Sequence, residues 1–219
     1  MKRIGIDVGG TNTDAVLLHD GQVVAAVKSP TTADVTGGIR SALGLLLAKA
    51  GPETRGAEAV IVGTTHFLNA VIERQRLNKV TAVRLCLPAS ASVPPFADWP
   101  TDLRDIVRQE VVMLPGGFEV DGREIAPFDE RRMREAAARI RDSGVEAVAV
   151  SGVFSPLRAD HELRAAAILA EMCPGISVTL SKDLGRIGLL ERENVTILNA
   201  ALANLARAAT RAFEEAIES

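Results

Sequence analysis

Short runs of apolar residues near the start of the chain indicate strands. The runs at 4–8, 15–18 and 22–27 are rich in aliphatic side chains. Asp20-Gly21 separates the last two runs, and an Asp-Gly pair between apolar runs is a strong signal for a two-residue hairpin turn. The pattern therefore predicts three strands that pair with their neighbours along the chain in antiparallel fashion.

The apolar positions of the next segment follow a helical period. One face of the predicted helix collects Val35, Ile39, Leu43, Leu46 and Leu47. Asp34 stands just before this face and is predicted to cap the helix, which ends at Gly51-Pro52. Further apolar runs at 59–62 and 80–87 predict two buried strands, with a helix over 67–76 between them.

Helices and strands alternate regularly from residue 129 onward. Asp129 is predicted to cap a helix that buries Met133, Ala136, Ala137 and Ile140. Strands are predicted over 145–150 and 176–180, on either side of a helix over 160–172. The chain is predicted to end in a single long helix from about residue 189, with an apolar stripe of Ile197, Ala201, Leu205, Ala208 and Phe213.

The segment 88–128 interrupts this alternation, because it holds six of the ten prolines and the only tryptophan. We interpret it as an insertion or connecting segment of short strands and loops. The chain then divides into three parts: a first subdomain at 1–87, this segment, and a second α/β segment at 129–219 that ends in the long helix. Strands that alternate with helices predict an α/β fold whose sheet is flanked by helices.

Composition and charge limit the classes of function that the sequence supports. With 47% hydrophobic and 24% charged residues, the 219-residue chain has the balance of a soluble α/β protein. The net charge of -3, without a basic patch, argues against nucleic acid as a partner. No apolar run reaches the roughly 18 residues that a membrane span needs. Met-Lys-Arg leads directly into a strand, so that no signal peptide is expected.

The cysteines and histidines favour a reduced, cytoplasmic protein without a local zinc motif. Cys86 and Cys173 lie far apart in apolar surroundings, and Cys86 is predicted to be part of the core. His19 and His161 are predicted to lie at the surface. His66 stands beside two threonines and is interpreted either as an acid–base group or as a supporting residue.

The turn between the first two predicted strands carries the clearest chemistry, in the segment Asp7-Val8-Gly9-Gly10-Thr11-Asn12-Thr13-Asp14. Glycine lets the backbone approach a ligand closely, and successive N–H groups in such a turn form a nest for an anion such as phosphate. The predicted phosphate-binding residues are Gly9, Gly10, Thr11, Asn12 and Thr13. A plain hairpin turn is the alternative. The segment is neither a Walker loop nor a dinucleotide fingerprint.

Two carboxylates flank this turn. Asp7 ends the first strand and is predicted to be catalytic, because a carboxylate there would hold Mg²⁺ through water or orient the group that attacks a phosphate. Asp14 is predicted to help hold the metal; alternatively, it only stabilises the loop. The alternative for Asp7 is that it only caps a turn.

Polar residues elsewhere are candidates for substrate contact. Thr64 and Thr65 follow a buried strand, where α/β sheets place ligand sites, and capping of the next helix is their alternative. Asn69 lies on that helix, on a face that lines a cleft or is simply exposed. Glu191 and Arg192 begin the last helix, where a helix-end ion pair is the alternative.

The glycine turn resembles the first phosphate loop of the superfamily that includes actin, sugar kinases and heat-shock chaperones. Other segments resemble the hydantoinase A and 5-oxoprolinase family, in the same order along nearly the whole chain. These segments are Gly63-Thr64-Thr65, Asn69 to Arg74, Val153-Phe154-Ser155-Pro156 with His161-Glu162, and Glu191-Arg192-Glu193-Asn194 with Leu198-Asn199-Ala200. The sequence departs from the family at His66-Phe67-Leu68, where members more often carry small residues.

The resemblance implies an α/β, ribonuclease H-like mixed sheet, with three antiparallel strands followed by parallel strands, and an inserted or second small α/β subdomain. It also implies an ATP-dependent, Mg²⁺-requiring cyclic amidase. In such an enzyme the γ-phosphate of ATP is transferred to the amide oxygen of a ring such as hydantoin or 5-oxoproline, and water then opens the ring. Alternatives are a small-molecule kinase, a ketone-activating carboxylase subunit, and a non-catalytic ATP switch.

The superfamily grips ATP between two related domains, and no second phosphate loop of this type occurs in the sequence. We therefore expect the chain to be the N-terminal half of a longer protein, and the isolated chain to be inactive. A natural short chain that pairs with another subunit is the alternative. The resemblance further implies a cyclic amide as substrate and a separate B-type hydantoinase subunit as partner. A homodimer is a candidate assembly.

Overall fold

A computed structural model describes residues 1–30 and 35–218, which form two compact units. The first unit comprises Met1–Gln75 together with the chain from Leu205, and the second comprises Arg76–Asn204. Asp34, predicted as a helix cap, lies outside the described residues, as do the side chains of Val35 and Phe213. None of the helices in the described part of the chain combines the length and the apolar character needed to cross a bilayer.

The first unit holds a mixed four-stranded sheet. Its elements are β1 (Lys2–Val8), β2 (Asn12–His19), β3 (Gln22–Pro30), α1 (Val35–Ala50), a 3₁₀ turn (Gly51–Thr54), β4 (Ala59–Thr64) and α2 (His66–Ile72). The strand order is β3-β2-β1-β4, in which β1, β2 and β3 pair antiparallel and β4 pairs with β1 in parallel. This is the predicted arrangement of three antiparallel strands followed by a parallel strand, and the predicted fold class is confirmed.

The core of the first unit lies between this sheet and α1. Alternate residues of β1 and β2 point inward, among them Ile4, Ile6 and Leu17, and meet Ile39 and Leu46 of α1. Because the side-chain period of a strand is two, the residues between them face the other side of the sheet. Gly5 and Asp7 therefore share that opposite face.

The second unit holds a parallel four-stranded sheet of order β6-β5-β7-β8. Its elements are β5 (Val80–Leu87), α3 (Thr101–Val107), β6 (Arg108–Pro115), α4 (Glu130–Ser143), β7 (Ala147–Gly152), α5 (Asp160–Met172), β8 (Ser177–Leu180), a 3₁₀ turn (Ser181–Asp183), α6 (Leu189–Ala201) and the start of α7 (Ala203–Glu218). Strands β5 and β7 are buried along nearly their whole length. Cys86 of β5 is fully buried in the core of the second unit, as predicted.

The segment 88–128 contributes to the second sheet. It forms α3 and the edge strand β6, which pairs in parallel with β5. A parallel neighbour cannot be reached by a tight hairpin, so that the chain needs a crossover, and α3 lies within it. The boundary predicted at residue 87 falls inside the second unit, because β5 pairs with β6 and β7.

The prediction of a single long helix at the C-terminus is wrong, because α6 ends at Ala201 and α7 begins at Ala203. The backbone N–H of Asn78 donates to the carbonyl of Ala201 (2.8 Å), and its side-chain amide donates to the carbonyl of Ala200 (3.2 Å). These carbonyls would otherwise accept from the next helical turn. The α6 helix is thus ended by a residue from far upstream in the chain.

The helix predicted over 67–76 is shorter in the structure than predicted, because Arg74 and Arg76 adopt left-handed backbone conformations.

Replacement of Gly44 by alanine is expected to raise the free energy of unfolding by about 0.5–1 kcal/mol. Gly44 lies inside α1, is exposed, and has no atom within 4 Å of the position that a Cβ would occupy. Urea unfolding measures the change. Gly21→Ala is the control, because Gly21 also has open space but a φ of +80°, and it is expected to lose stability. Equal effects of both substitutions would contradict the prediction.

His161 is buried, with 2% of its surface exposed, so the predicted surface position is wrong. Its ring packs against Phe118 and Phe128, with centroids 4.4 and 5.6 Å away. The N–H of Gly117 donates to Nδ1 (3.0 Å), which places the ring proton on Nε2, 3.3 Å from a carboxylate oxygen of Glu124. The start of a helix looks exposed by local pattern, and residues distant in sequence, among them Phe118, Phe128 and Gly117, bury this residue.

Stability is expected to fall as the pH drops below about 6.5, partly through His161. Burial lowers the pKa of His161 below its ordinary value of 6.5, against the opposing influence of Glu124. The unfolded chain therefore binds a proton at a pH where the folded chain does not, and protonation favours unfolding until the folded residue also titrates. Urea midpoints between pH 7.5 and 5 should show a steeper loss in the wild-type protein than in His161→Gln, and parallel curves would refute this contribution.

Candidate functional site

The carboxylate of Asp7 stands on the sheet face opposite α1, close to the end of β1. Asp7 is exposed, and its backbone pairs with Asp14 of β2 on one side and Gly63 of β4 on the other. A Cβ on Gly63 would lie 3.6 Å from Oδ1 of Asp7, so that the carboxylate lies beside a residue without a side chain. The carboxylate and Gly63 both line a furrow on this face of the sheet.

The glycine turn that follows is tight. The N–H of Gly9 donates to the carbonyl of Asn12 (2.9 Å), and a Cβ on Gly9 would come within 3.0 Å of that oxygen. A Cβ on Gly10 would lie 3.4 Å from the side-chain amide nitrogen of Asn69. At Gly9 a side chain would crowd the carbonyl of Asn12, whereas the distance at Gly10 is that of an ordinary contact. Glycines in a turn let a ligand approach the backbone closely.

The two threonines of the turn differ in position. Thr11 is exposed and Asn12 is half-buried, whereas Thr13 is fully buried on the inner face with Ala15. Ser29 lies next to it, with its hydroxyl 3.5 Å from the carbonyl of Thr13. The side chains of Thr11 and Asn12 are therefore accessible, whereas the side chain of Thr13 is not.

Asp14 is the second carboxylate of this face and forms an exposed ion pair with Lys28 (3.4 Å). Asp7 has no ion pair among the described side chains. Within those side chains, no group of three or more His, Cys, Asp or Glu could hold a metal ion by itself. Mg²⁺ usually keeps several waters and takes one or two carboxylates together with substrate phosphates, so Asp7 and Asp14 suit an ion that arrives with phosphate.

A furrow of about 310 Å³ runs along the same face of the sheet. Glycines 5 and 63, the aliphatic side chains of Val16 and Ile61, and the two carboxylates are among its lining residues. Ile61 is 57% exposed. The furrow therefore has apolar sides and a negatively charged portion.

Thr64, Thr65 and Asn69 lie where β4 passes into α2. The Thr64 hydroxyl contacts the carbonyl of Val8 (3.3 Å), and the N–H of Thr65 donates to the same carbonyl (3.4 Å). Asn69 donates its backbone N–H to the carbonyl of Thr65 (2.9 Å), and its side chain lies beside Gly10. The structure thus brings these three residues to the glycine turn within the first unit.

Glu191 and Arg192 belong to the second unit. Glu191 is exposed, and its carboxylate lies against Gly188, where a Cβ would come within 2.6 Å. Arg192 is 1% exposed, and burial lowers the pKa of its guanidinium. Its donors reach the hydroxyl of Ser181 and the carbonyls of Gly152, Arg186, Ile187 and Gly188 at 2.6–3.1 Å. Arg192 therefore holds the loop before α6 from within the fold.

A buried ion pair next to Arg192 was missed by sequence analysis. Arg84 of β5, 0% exposed, donates its Nε to Glu193 (2.8 Å) and its Nη2 to the other oxygen of the same carboxylate. Ser151 donates to Glu193 (2.6 Å), and the carbonyls of Ser90 and Val93 accept from Arg84. An arginine in the middle of an apolar strand was the available signal, because a buried charge needs a partner.

Comparison with known proteins finds relatives over most of the chain. The family described as hydantoinase/oxoprolinase N-terminal region matches residues 3–173. The caprolactamase subunit alpha of Pseudomonas jessenii is 29% identical over an alignment 218 residues long. The alignment covers 91% of this chain and 31% of the relative. The chain thus spans roughly a third of the length of that protein.

Two solved structures share the fold over 99% of the chain. The ATP-dependent caprolactamase from Pseudomonas jessenii superposes with a TM-score of 0.75 at 28% identity, and 33% of that chain is covered. A nucleotide-free acetone carboxylase superposes with a TM-score of 0.73 at 20% identity, and 35% of that chain is covered. The second likeness concerns the fold alone.

Proposed function

Because the chain belongs to the hydantoinase/oxoprolinase N-terminal region family, we propose that it is the ATP-phosphate-binding part of a hydrolase that opens a cyclic amide. The resemblance that the motifs indicated is thereby confirmed at the level of the family. The observation that carries the proposal is the exposed carboxylate of Asp7, which lies beside a tight glycine turn and lines the furrow on this face of the sheet.

The residues of the turn have defined roles in this proposal. The N–H groups of Gly10 and Thr11 and the side chains of Thr11 and Asn12 would bind the phosphates of ATP, while Gly9, whose N–H donates to the carbonyl of Asn12, shapes the turn. Asp7 and Asp14 would hold Mg²⁺ through water, and Asp7 would orient the reacting group. When bound, ATP would supply the phosphoryl group that activates the amide through its oxygen, so that water attacks the ring carbon, the ring C–N bond breaks, and the phosphate is released by hydrolysis.

The substrate class rests on the relatives. The Pseudomonas jessenii protein is named for a lactam, which is a cyclic amide, and its solved form is ATP-dependent. Its designation as subunit alpha supports a partner subunit for the present protein as well. In the first unit, Thr65 and Asn69 are the candidates for contact with substrate or phosphate, whereas the hydroxyl of Thr64 is already engaged by Val8 and His66. Glu191 and Arg192 shape the loop before α6, and the exposed Glu191 is the candidate for direct contact.

The test is phosphate release from Mg-ATP by the product of the complete gene, with and without a co-expressed B-type subunit. The panel contains caprolactam, 5-oxoproline, hydantoin, acetone and glucose. Stimulation by a cyclic amide, with the ring-opened product detected, is expected. Stimulation only by acetone or glucose would replace the proposal with a carboxylase or a kinase, and tight ATP binding without stimulation by any compound would replace it with an ATP switch.

A further inference from the structure

The hydroxyl of Thr64 sits at the centre of a small hydrogen-bond network below the glycine turn. The backbone N–H of His66 donates to Oγ1 of Thr64 (3.1 Å), and Oγ1 lies 3.3 Å from the carbonyl oxygen of Val8. The third neighbour of Oγ1 is Nδ1 of the His66 ring, at 2.9 Å. This hydroxyl therefore has three partners, which is its full capacity.

The tautomer of His66 depends on the direction of the Thr64 hydroxyl proton. We infer that this proton is directed at Val8, because the carbonyl oxygen can only accept and lies 3.3 Å from the hydroxyl oxygen. The two lone pairs of Oγ1 then accept from the backbone N–H of His66 and from its ring. Nδ1 consequently carries the ring proton, and in the neutral imidazole the free lone pair is on Nε2.

The network ends on the backbone that begins the glycine turn. Val8 is the last residue of β1 and directly precedes Gly9. Its carbonyl receives both the Thr64 hydroxyl and the N–H of Thr65 (3.4 Å), so that β4 and the start of α2 are tied to the base of the turn. The His66 side chain is 8% exposed, so its ring is held by packing as well.

We propose that His66 is a positioning residue for phosphate binding, which acts through Nδ1 on Thr64 and through Thr64 on the backbone of the glycine turn. This inference rests on the proposed binding of ATP at that turn. The turn presents its N–H groups to a phosphate only while its base is held in place, because a shift of the order of 1 Å removes hydrogen bonds of this kind. The Nε2 atom takes no part in the proposed role.

Two substitutions separate this role from direct chemistry. Asparagine carries an amide nitrogen at nearly the place of Nδ1, whereas glutamine carries one nearer the place of Nε2. His66→Gln is expected to raise the KM for ATP by about tenfold, with kcat changed less than about threefold. About tenfold is the lower end of the effect seen when a residue that orients a metal ligand is lost. His66→Asn is expected to restore a KM near the wild-type value.

The contacts of Thr64 give a matched second pair. Thr64→Ser keeps the hydroxyl and is expected to behave as wild type, whereas Thr64→Val should reproduce the KM of His66→Gln. A defect in His66→Asn that His66→Gln does not share would assign the function to Nε2 and overturn the proposal. A loss confined to kcat, or no effect of any of these substitutions, would overturn it as well.

The tautomer is tested independently of ATP. Nitrogen NMR of the histidine rings, with signals of His66 assigned by their loss in His66→Asn, should show a protonated Nδ1 and an unprotonated Nε2. The reverse pattern would overturn the inference even if the protein hydrolyses ATP. Absence of ATP binding by the complete wild-type protein would instead refute the proposed function, while the NMR result would still report on the network.

Discussion

Replacement of Asp7 by asparagine is expected to lower ATP turnover by the complete protein by at least about 100-fold, the scale of losing one preorganised electrostatic group in an active site. Asparagine has the shape of aspartate but lacks the charge that would hold Mg²⁺ and orient the reacting group. Asp7 is exposed, so its replacement is expected to change the stability of the fold little. Single-turnover and steady-state phosphate release measure the effect.

The stability of the same variant is a useful second measurement. Asp7 and Asp14 are directly opposite each other on neighbouring strands, and like charges in this position destabilise a sheet. The free energy of unfolding of Asp7→Asn is therefore expected to be unchanged or slightly higher in the absence of ATP. Asp142→Asn is the control, because it removes one exposed carboxylate at the end of α4, and its turnover should match the wild type.

Turnover within about threefold of the wild type in Asp7→Asn would contradict the role of this residue. A large loss of turnover together with a loss of stability would indicate that Asp7 supports the fold instead. Only the combination of lost turnover and retained stability supports a role in chemistry.

Replacement of Glu193 by glutamine is expected to lower the free energy of unfolding by about 3–5 kcal/mol. The carboxylate is 2% exposed, and it neutralises Arg84, which is 0% exposed. Glutamine has nearly the same shape but leaves the guanidinium as a buried, uncompensated charge. Urea unfolding followed by circular dichroism measures the change.

Two further variants identify the cause of that loss. Ser151→Ala removes one hydrogen bond to the same carboxylate (2.6 Å) and is expected to cost about 1–3 kcal/mol. The double variant Arg84→Met with Glu193→Leu removes both charges and is expected to be more stable than Glu193→Gln alone, since no unpaired charge remains. A double variant less stable than the single one would show that shape, and not charge, governs this part of the core.

Much of the local structure could be predicted from the sequence. The strand over 80–87 and the helix over 160–172 were predicted with the bounds that the structure shows, because each is an apolar or periodic run ended by strong breakers. The cap at Asp129 was predicted as well, and its side chain accepts from the N–H of Arg132. Such features depend on residues within one or two turns of each other.

The glycine turn and its two carboxylates were also available to sequence analysis. A hairpin connection places Asp7 opposite Asp14 because both lie a few residues from the same turn, and the strand period puts them on one face. The contact of Asp7 with Gly63 is different, since it requires the parallel pairing of β1 with β4. That pairing joins residues more than 50 positions apart, and the apolar pattern of β4 does not indicate which strand it pairs with.

The tertiary structure alone decided which polar residues are buried and what they contact. Arg84 and Glu193 are 109 positions apart, and Asn78 ends α6 across 122 positions. His161 is buried by Phe118 and Gly117, which no local periodicity connects to it. Sequence alone determined the short-range elements and the family motifs because neighbours along the chain set backbone propensity and periodicity. Only the fold chose the long-range partners, because a buried polar group takes whichever partner the packed elements bring within hydrogen-bond distance.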